Sequence, residues 1–252
     1  VIAIHPLKDI GEIFPGDDLA KVLHDALRTA GLLPLATDDV LVVTQKIVSK
    51  AEGRFVDLGG VTPGAEALRL AEITRKDPRL VELVLDEASD VVRSVPHVLI
   101  TRHRLGHVMA NSGIDRSNIG PEGGERALLL PLDPDATADQ LRANLGRTCG
   151  GAPAIVISDS FGRPWRMGVV GVAIGASGLP SLIDRRGEED RDGRPMEVTQ
   201  IAFGDIIATA ASLATGEGAE GIPAVLIRGL SWPDGSLPAS ALVRPAHEDL
   251  FR

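Results

Sequence analysis

Among the apolar runs of this chain are three internal tetrapeptides, Val40-Leu41-Val42-Val43, Ala154-Ile155-Val156-Ile157 and Ala224-Val225-Leu226-Ile227. Short runs of this kind, bounded by polar residues or turn formers, read as buried strands. Val169 to Ile174 reads as another. The helices announce themselves by caps and stripes. Asp17 or Asp18 caps a helix whose apolar side is Leu19, Val22, Leu23, Ala26, Leu27 and Ala30, with Gly31 ending it. Thr62-Pro63 opens a second helix, with Ala67, Leu70 and Ala71 on its buried side, and Asp77-Pro78 opens a third along Leu80, Val84, Leu85 and Ala88. Thr137 with Gln140 forms a capping box ahead of Leu141 and Leu145. Asp205 to Ala214 is apolar nearly all round and reads as a central helix, reached through Val198 to Phe203. His97 to Asn111 alternates around Leu105-Gly106 and predicts a hairpin. Strands and helices follow one another without a regular βαβ beat, so α+β is favoured over a doubly wound sheet.

Composition bounds what such a fold can do. With 252 residues, 44% apolar and 24% charged, the chain can bury a core and is not disordered. Its formal charge of −9 argues against a surface that wraps nucleic acid or an anionic membrane. No apolar run approaches the roughly 20 residues needed to span a bilayer, and Val1 to Ile4 lacks the charged region of a signal sequence. Cys149 is the single cysteine, so an internal disulfide is excluded and the cytoplasm is the expected location.

Several segments carry chemistry-bearing residues. Gly216-Glu217-Gly218-Ala219-Glu220-Gly221 fits the dinucleotide pattern G-x-G-x-x-G, but a helix precedes it and a strand follows, the reverse of the real fingerprint. Its glycines still let backbone N–H groups approach an anion, with Glu217 facing it through a metal. His103 and His107 have the spacing of a helical zinc pair, yet they flank a hairpin turn and read as packed histidines. A P-loop and a G-x-S-x-G elbow are both absent from the sequence. Asn111 to Asn118 reads first as a polar turn. Asp159 stands almost directly after an apolar strand and beside Ser160, and these hard oxygen donors suit Mg²⁺ or Mn²⁺. Arg163 and Arg166 follow and could clamp phosphate; a capped turn with surface arginines explains the same residues, and both readings stay open. Asp184 to Arg194, dense in charge and glycine, reads as a mobile surface loop or a lid.

Taken together these segments resemble the coenzyme F-420:L-glutamate ligases, which add γ-linked glutamate to a deazaflavin coenzyme. The resemblance runs through Gly16-Asp17-Asp18-Leu19, Val48 to Arg54, Gly113-Ile114-Asp115 with Ser117-Asn118, Leu132 to Asp135, Asp159 with Gly162-Arg163, and Gly216-Glu217-Gly218 ending at Ile222-Pro223. It implies a GTP-dependent homodimeric ligase of mixed sheets and helices in two intimately associated subdomains, with no P-loop or Rossmann domain. The whole chain, 1–252, then forms one ligase module. It implies Mg²⁺ or Mn²⁺, with a monovalent cation as a further ion, and a divalent metal held by Asp115, Asp159, Ser160 and Glu217. Gln45, Lys46, Lys50, Asn118, the segment Ile10, Gly11, Glu12 and Ile13, and the run Thr215 to Ile222, with Gly216, Gly218 and Gly221, would lie at the nucleotide. The chain differs at Ser160, where Thr is usual and the hydroxyl is kept, and at Asp192, where an aromatic is frequent. Similar modules occur fused to a flavin-binding reductase domain, and a free-standing enzyme or a cut module both fit an ending at Arg252.

The implied chemistry suits these residues. A carboxylate is a poor electrophile because its leaving group would be oxide; phosphorylation by GTP gives an acyl phosphate, from which the glutamate amine displaces phosphate. Phosphoryl transfer needs positioning and charge neutralisation. Lys50 is therefore assigned to nucleotide phosphate, and Arg163 or Arg166 to the developing charge, with no residue standing out as base for the amine. A metal-dependent phosphohydrolase and a non-catalytic nucleotide-binding module are the competing readings.

Overall fold

The computed structural model describes residues 1–120 and 125–249; the end of the chain considered above, Leu250 to Arg252, lies outside them. In chain order the first half holds β1 (Ala3–Leu7), α1 (Leu19–Thr29), β2 (Val40–Thr44), α2 (Gln45–Ala51), β3 (Phe55–Asp57), α3 (Ala65–Thr74) and α4 (Pro78–Asp86). A small sheet follows, β4 (Ala88–Val95), β5 (Val98–His103) and β6 (Val108–Ala110), then β7 (Arg126–Leu128) and α5 (Pro134–Thr148). The second half holds β8 (Ala154–Arg163), β9 (Arg166–Ser177), β10 (Leu182–Asp184), β11 (Gln200–Ala202), α6 (Phe203–Thr215) and β12 (Ala224–Arg228). The architecture is α+β, as the irregular alternation of elements predicts. None of these helices is long and apolar enough to cross a membrane.

The three apolar tetrapeptides are neighbours in one mixed sheet, ordered β1-β12-β2-β8-β9. Strands β2 and β8 run parallel, Val40 opposite Ala154 through Thr44 opposite Ser158, and the other pairings are antiparallel. Alternation explains why every residue of these runs is apolar: both faces are covered. Leu41, Val43, Ile155, Ile157 and Leu226 point to one side, where Leu19, Leu23 and Leu27 of α1 and Leu141 and Leu145 of α5 meet them. Val40, Val42, Val156, Val225 and Ile227 point to the other, against Ile207, Ala208 and Ala211 of α6. A separate core of Leu58, Leu70, Val81, Val84, Leu99 and Ala127 joins α3 and α4 to β5 and to the β3–β7 pair.

The caps of α1 and α4 form as read, Asp18 accepting from the Lys21 N–H at 3.1 Å and Asp77 from the Arg79 N–H at 2.9 Å. The hairpin is also as read, β5 and β6 pairing antiparallel around Leu105-Gly106. Five elements differ from the sequence expectation. Helix α5 opens at Asp133-Pro134, with Asp133 accepting from the Ala136 N–H, while Thr137 instead donates to Glu52 at 2.8 Å. Strand β8 continues well past Ile157, so Asp159 lies within it rather than after it. Helix α6 is not central: Ile206 and Leu213, 54% and 83% exposed, face solvent, because only its small-residue side packs on the sheet. Helix α3 starts only at Ala65, with Gly64 as its N-cap, two residues after Thr62-Pro63. The surface segment Asp184 to Arg194 forms a ribbon, the Gly187 N–H bonding to Met196 O and the Asp190 N–H to Arg194 O, both at 2.8 Å.

Candidate functional site

Strand direction assembles the site. Strands β2 and β8 end on the same edge of the sheet; β12 begins there, and β1, antiparallel to β12, ends there. Four segments distant in sequence therefore emerge together: Ile10 to Ile13 after β1, α2 after β2, Ser158 to Ser160 in β8, and Thr215 to Pro223 before β12. The open end beyond a parallel strand pair is where sheets of this kind admit ligands. A cavity of 780 Å³ lies there. Asp115, Ser117 and Asn118 close it from the side of the smaller core.

Helix α2 folds from the polar stretch after β2 because Ile47 and Val48 are buried while the Thr44 N–H is held by Pro223 O at 2.9 Å. It presents Gln45, Lys46 and Lys50 to the cavity. Gln45 is fixed by the Ser49 hydroxyl, which donates to its Oε1 at 2.9 Å, so its Nε2 points to Asp115 Oδ2 at 3.2 Å. Lys46 Nζ lies 3.2 Å from the same carboxylate oxygen and donates to Ser117 O at 3.1 Å. Lys50, whose side chain is almost fully buried, donates its ammonium to Glu12 Oε1.

Asp115 is aimed by a left-handed turn. Asn111, Ser112 and Gly113 have φ of 51°, 50° and 69°, a region that costs side-chain-bearing residues energy. Ser112 is held there by its N–H bonding to Thr101 Oγ1 at 3.0 Å and its hydroxyl donating to Val84 O at 3.0 Å. Gly113 permits the turn to press against Leu130 and Met109, where a Cβ would collide at 2.8 Å. Asp115 then exchanges two backbone hydrogen bonds of 2.9 Å with Leu128. The polar-turn reading of Asn111 to Gly113 and the ligand reading of Asp115 are thus two parts of one device.

Opposite, Asp159 accepts from the Ser160 N–H at 2.8 Å, and the Ser160 hydroxyl donates to Glu217 Oε1 at 2.7 Å. Burial, aided by the carboxylates of Asp115 and Glu217, pushes the Asp159 carboxyl up to about 7, against the Ser160 hydrogen bond and the Lys46 charge. Asn118 Nδ2 donates to Gly218 O at 3.2 Å and ties the Asp115 segment to the glycine-rich loop. That loop has the reversed context the sequence showed, leaving α6 and entering β12.

The family model for F420-0:Gamma-glutamyl ligase matches residues 9–229, a span that contains every cavity-lining segment. The chain belongs to this family. It is 43% identical to the coenzyme F420:L-glutamate ligase of Methanopyrus kandleri over all of this chain and 98% of that protein. With the protein of the same name from Methanothermobacter thermautotrophicus it shares 44% identity, over 94% of this chain and 93% of that one. With that of Methanocaldococcus jannaschii it shares 41%, over 87% and 86%.

In this gamma-glutamyl ligase family member the cavity gathers Ile10, Gly11, Glu12, Ile13, Gln45, Lys46, Lys50 and Asn118. It also gathers Thr215, Gly216, Gly218, Gly221 and Ile222, together with Asp115, Asp159, Ser160 and Glu217. Arg163 and Arg166 are not brought in. They pair with each other where β8 turns into β9, and Arg163 Nη2 donates to Met167 O at 3.3 Å. Four residues of strand separate Arg163 from Asp159, about 13 Å along β8, so adjacency in sequence does not become adjacency in the site. Gly171, Ala208 and Ser212 line the cavity without having been singled out; small side chains on a strand and a helix give no chemical signal.

The paired histidines are structural. His103 Nδ1 accepts from the Leu105 N–H at 3.0 Å, and its Nε2 lies 3.2 Å from Glu87 Oε2, beside Arg54 and Arg104. His107 packs edge-on against Phe161 at 5.6 Å. Burial, reinforced by His103 and opposed by Asp135, brings the His107 ring down to about 4 from an ordinary 6.5. Below pH 6.5 the unfolded chain takes up a proton that the folded chain refuses until about pH 4. Its contribution is therefore intact above 6.5 and is lost progressively down to 4, a difference of about 3 kcal/mol. Urea unfolding of wild type and His107→Leu at pH 7 and pH 4.5 checks this: the variant should lose clearly less stability on acidification, and equal losses would refute the assignment.

Proposed function

We propose that this chain joins L-glutamate to the deazaflavin coenzyme F420 precursor in a GTP-dependent reaction, extending it by γ-linkage. The substrate carboxylate oxygen attacks the γ-phosphorus of GTP, the bond to the β,γ-bridging oxygen breaks, and GDP leaves. The glutamate nitrogen then attacks the acyl carbon, the carbon–oxygen bond to phosphate breaks, and an amide forms as phosphate departs. One observation carries this reading above the others: two lysines and four carboxylates from five separate segments meet around one cavity in a member of a glutamate-ligase family. A triphosphate needs the cations, and the carboxylates need a metal between themselves and it.

The donor set suits a divalent ion of the Mg²⁺ or Mn²⁺ type, since Asp115, Asp159, Glu217 and the Ser160 hydroxyl are all hard oxygen donors. Among the described residues, however, no three His, Cys, Asp or Glu side chains form a ready-made metal cluster. Asp115 is engaged by Lys46 and Gln45, and Glu217 by Ser160. Such an ion would neutralise phosphate charge when bound. The protein's own part is done by Lys46 and Lys50 at the phosphates, by the backbone of Ile10 to Ile13 and of the glycine-rich loop around the nucleotide, and by Asn118 holding that loop in place. Arg163 and Arg166, at the corner of β8 and β9, lie outside the cavity lining of the single chain.

Mass spectrometry of a reaction containing GTP, Mg²⁺, L-glutamate and the glutamate-free coenzyme tests the reading. Glutamate-sized mass increments are expected; phosphate release without the coenzyme would favour the phosphohydrolase, and binding without turnover the non-catalytic module. Glu217→Gln separates the metal role from a direct one. It should raise the Mg²⁺ concentration for half-maximal activity by about tenfold or more and weaken GTP binding only when metal is present. Equal weakening with metal and with chelator, or none in either, would remove Glu217 from the metal.

A further inference from the structure

Each ammonium group in the cavity already holds a carboxylate: Lys46 holds Asp115, and Lys50 holds Glu12. These two pairs differ in kind. Asp115 is anchored by backbone pairing to Leu128. Glu12 lies in the connection after β1 with its side chain 46% exposed, whereas the Lys50 side chain it meets is 7% exposed. Lys50 therefore has a fixed ammonium, and Glu12 is the movable member. A phosphate oxygen that takes the Lys50 ammonium arrives beside the Glu12 carboxylate, and two anions sharing one buried cation repel strongly. Glu12 is then left without its cation partner. It lines the open cavity, and Gly120 beside it carries no side chain, the nearest atom to a Cβ there being Glu12 Oε1 at 3.9 Å.

We propose that Glu12 receives the ammonium group of the incoming amino acid once a nucleotide phosphate has displaced it from Lys50. The inference rests on the GTP-dependent ligase reading and deepens it. A carboxylate that has just been displaced by the phosphate at Lys50 places the amine next to the acyl phosphate formed there. It also supplies the missing base. The ammonium gives one proton to Glu12, the nitrogen pair forms the bond to the acyl carbon, and the departing phosphate oxygen keeps the pair of the broken carbon–oxygen bond and takes the second proton from nitrogen. Binding is ordered as a result, since Lys50 fills the ammonium site until nucleotide arrives.

Calorimetry and steady-state kinetics on the full chain test this with Glu12→Gln and Glu12→Asp. Wild type should bind L-glutamate measurably only in the presence of Mg²⁺ and a non-hydrolysable GTP analogue. Glu12→Gln should bind that nucleotide at least as tightly as wild type, because the competitor for Lys50 is gone, while KM for L-glutamate rises at least tenfold; Glu12→Asp should recover part of the loss. An unchanged KM for glutamate, glutamate binding that ignores the nucleotide, or a parallel loss of nucleotide affinity in Glu12→Gln would overturn the proposal. Failure of wild type to bind the Mg²⁺–nucleotide at all would instead remove the GTP-dependent reading, and this inference with it.

Discussion

Asp159→Asn is expected to lower kcat/KM for ligation by on the order of 10²–10³-fold while leaving the unfolding temperature unchanged or slightly raised. The asymmetry follows from where the carboxylate sits. Strand β8 carries it into the cavity between Asp115 and Glu217, and burial with those two charges already pushes it up to about 7. The fold gains nothing from its negative charge. Asparagine keeps the shape and an acceptor for the Ser160 N–H, which Asp159 now holds at 2.8 Å. What it removes is an anionic donor for a divalent ion at the phosphates. Product formation and thermal unfolding measured on the same preparation check both halves. Full turnover by the folded variant would take Asp159 out of the site; a fall in stability matching the fall in activity would make it a structural residue.

Gly171→Ala is expected to destabilise the protein by about 3 kcal/mol or more, a large effect on folding for so small a change. Gly171 lies in β9 opposite Ser160, where α6 crosses the sheet. A Cβ there would stand 2.4 Å from Ala208 O and 2.9 Å from Thr209 N, both backbone atoms of α6 that no rotamer change can move aside. The helix must lift, breaking the 2.8 Å bond from the Thr209 hydroxyl to Gly171 O and thinning the packing of Ile207 and Ala211 on the sheet. Because α6 ends at Thr215 and delivers the glycine-rich loop, nucleotide affinity of the folded fraction should fall as well. Denaturant unfolding gives the first quantity and calorimetry the second. A wild-type midpoint would show that α6 approaches β9 less closely than these distances state.

The elements that were legible in the sequence are those whose signal is local. The apolar runs of β2, β8 and β12 mark strands buried on both sides, and a cap such as Asp18 or Asp77 bonds within three residues of itself. The hairpin around Leu105-Gly106 is local in the same sense. Where two local signals compete, the sequence is silent. Asp133-Pro134 and Thr137-Gln140 are both helix openings, and Glu52, far away in the chain, decided between them by accepting from Thr137. Helix α6 is apolar on all sides, so its pattern could not say which side meets the sheet; the small residues Gly204, Ala208 and Ala211 did, because only they allow close approach.

The site divides along the same line. Residue type marked Asp115, Asp159, Glu217, Lys46 and Lys50 as chemistry-bearing, and the family resemblance grouped them. Which of them meet was decided by strand order and direction, which bring the end of β1, the end of β2, the middle of β8 and the start of β12 to one edge. Lys46 and Asp115 stand 3.2 Å apart although they are distant in sequence, whereas Asp159 and Arg163, four residues apart, are separated by the length of strand between them. The sequence by itself determined which groups were present and which short segments would be strand or helix, since those properties depend on neighbours a few residues away. Only the tertiary structure decided that Lys50 rests on Glu12, that Ser160 rests on Glu217, and that the two arginines stand at the β8–β9 turn outside the cavity lining, because those placements depend on how strands line up across the sheet.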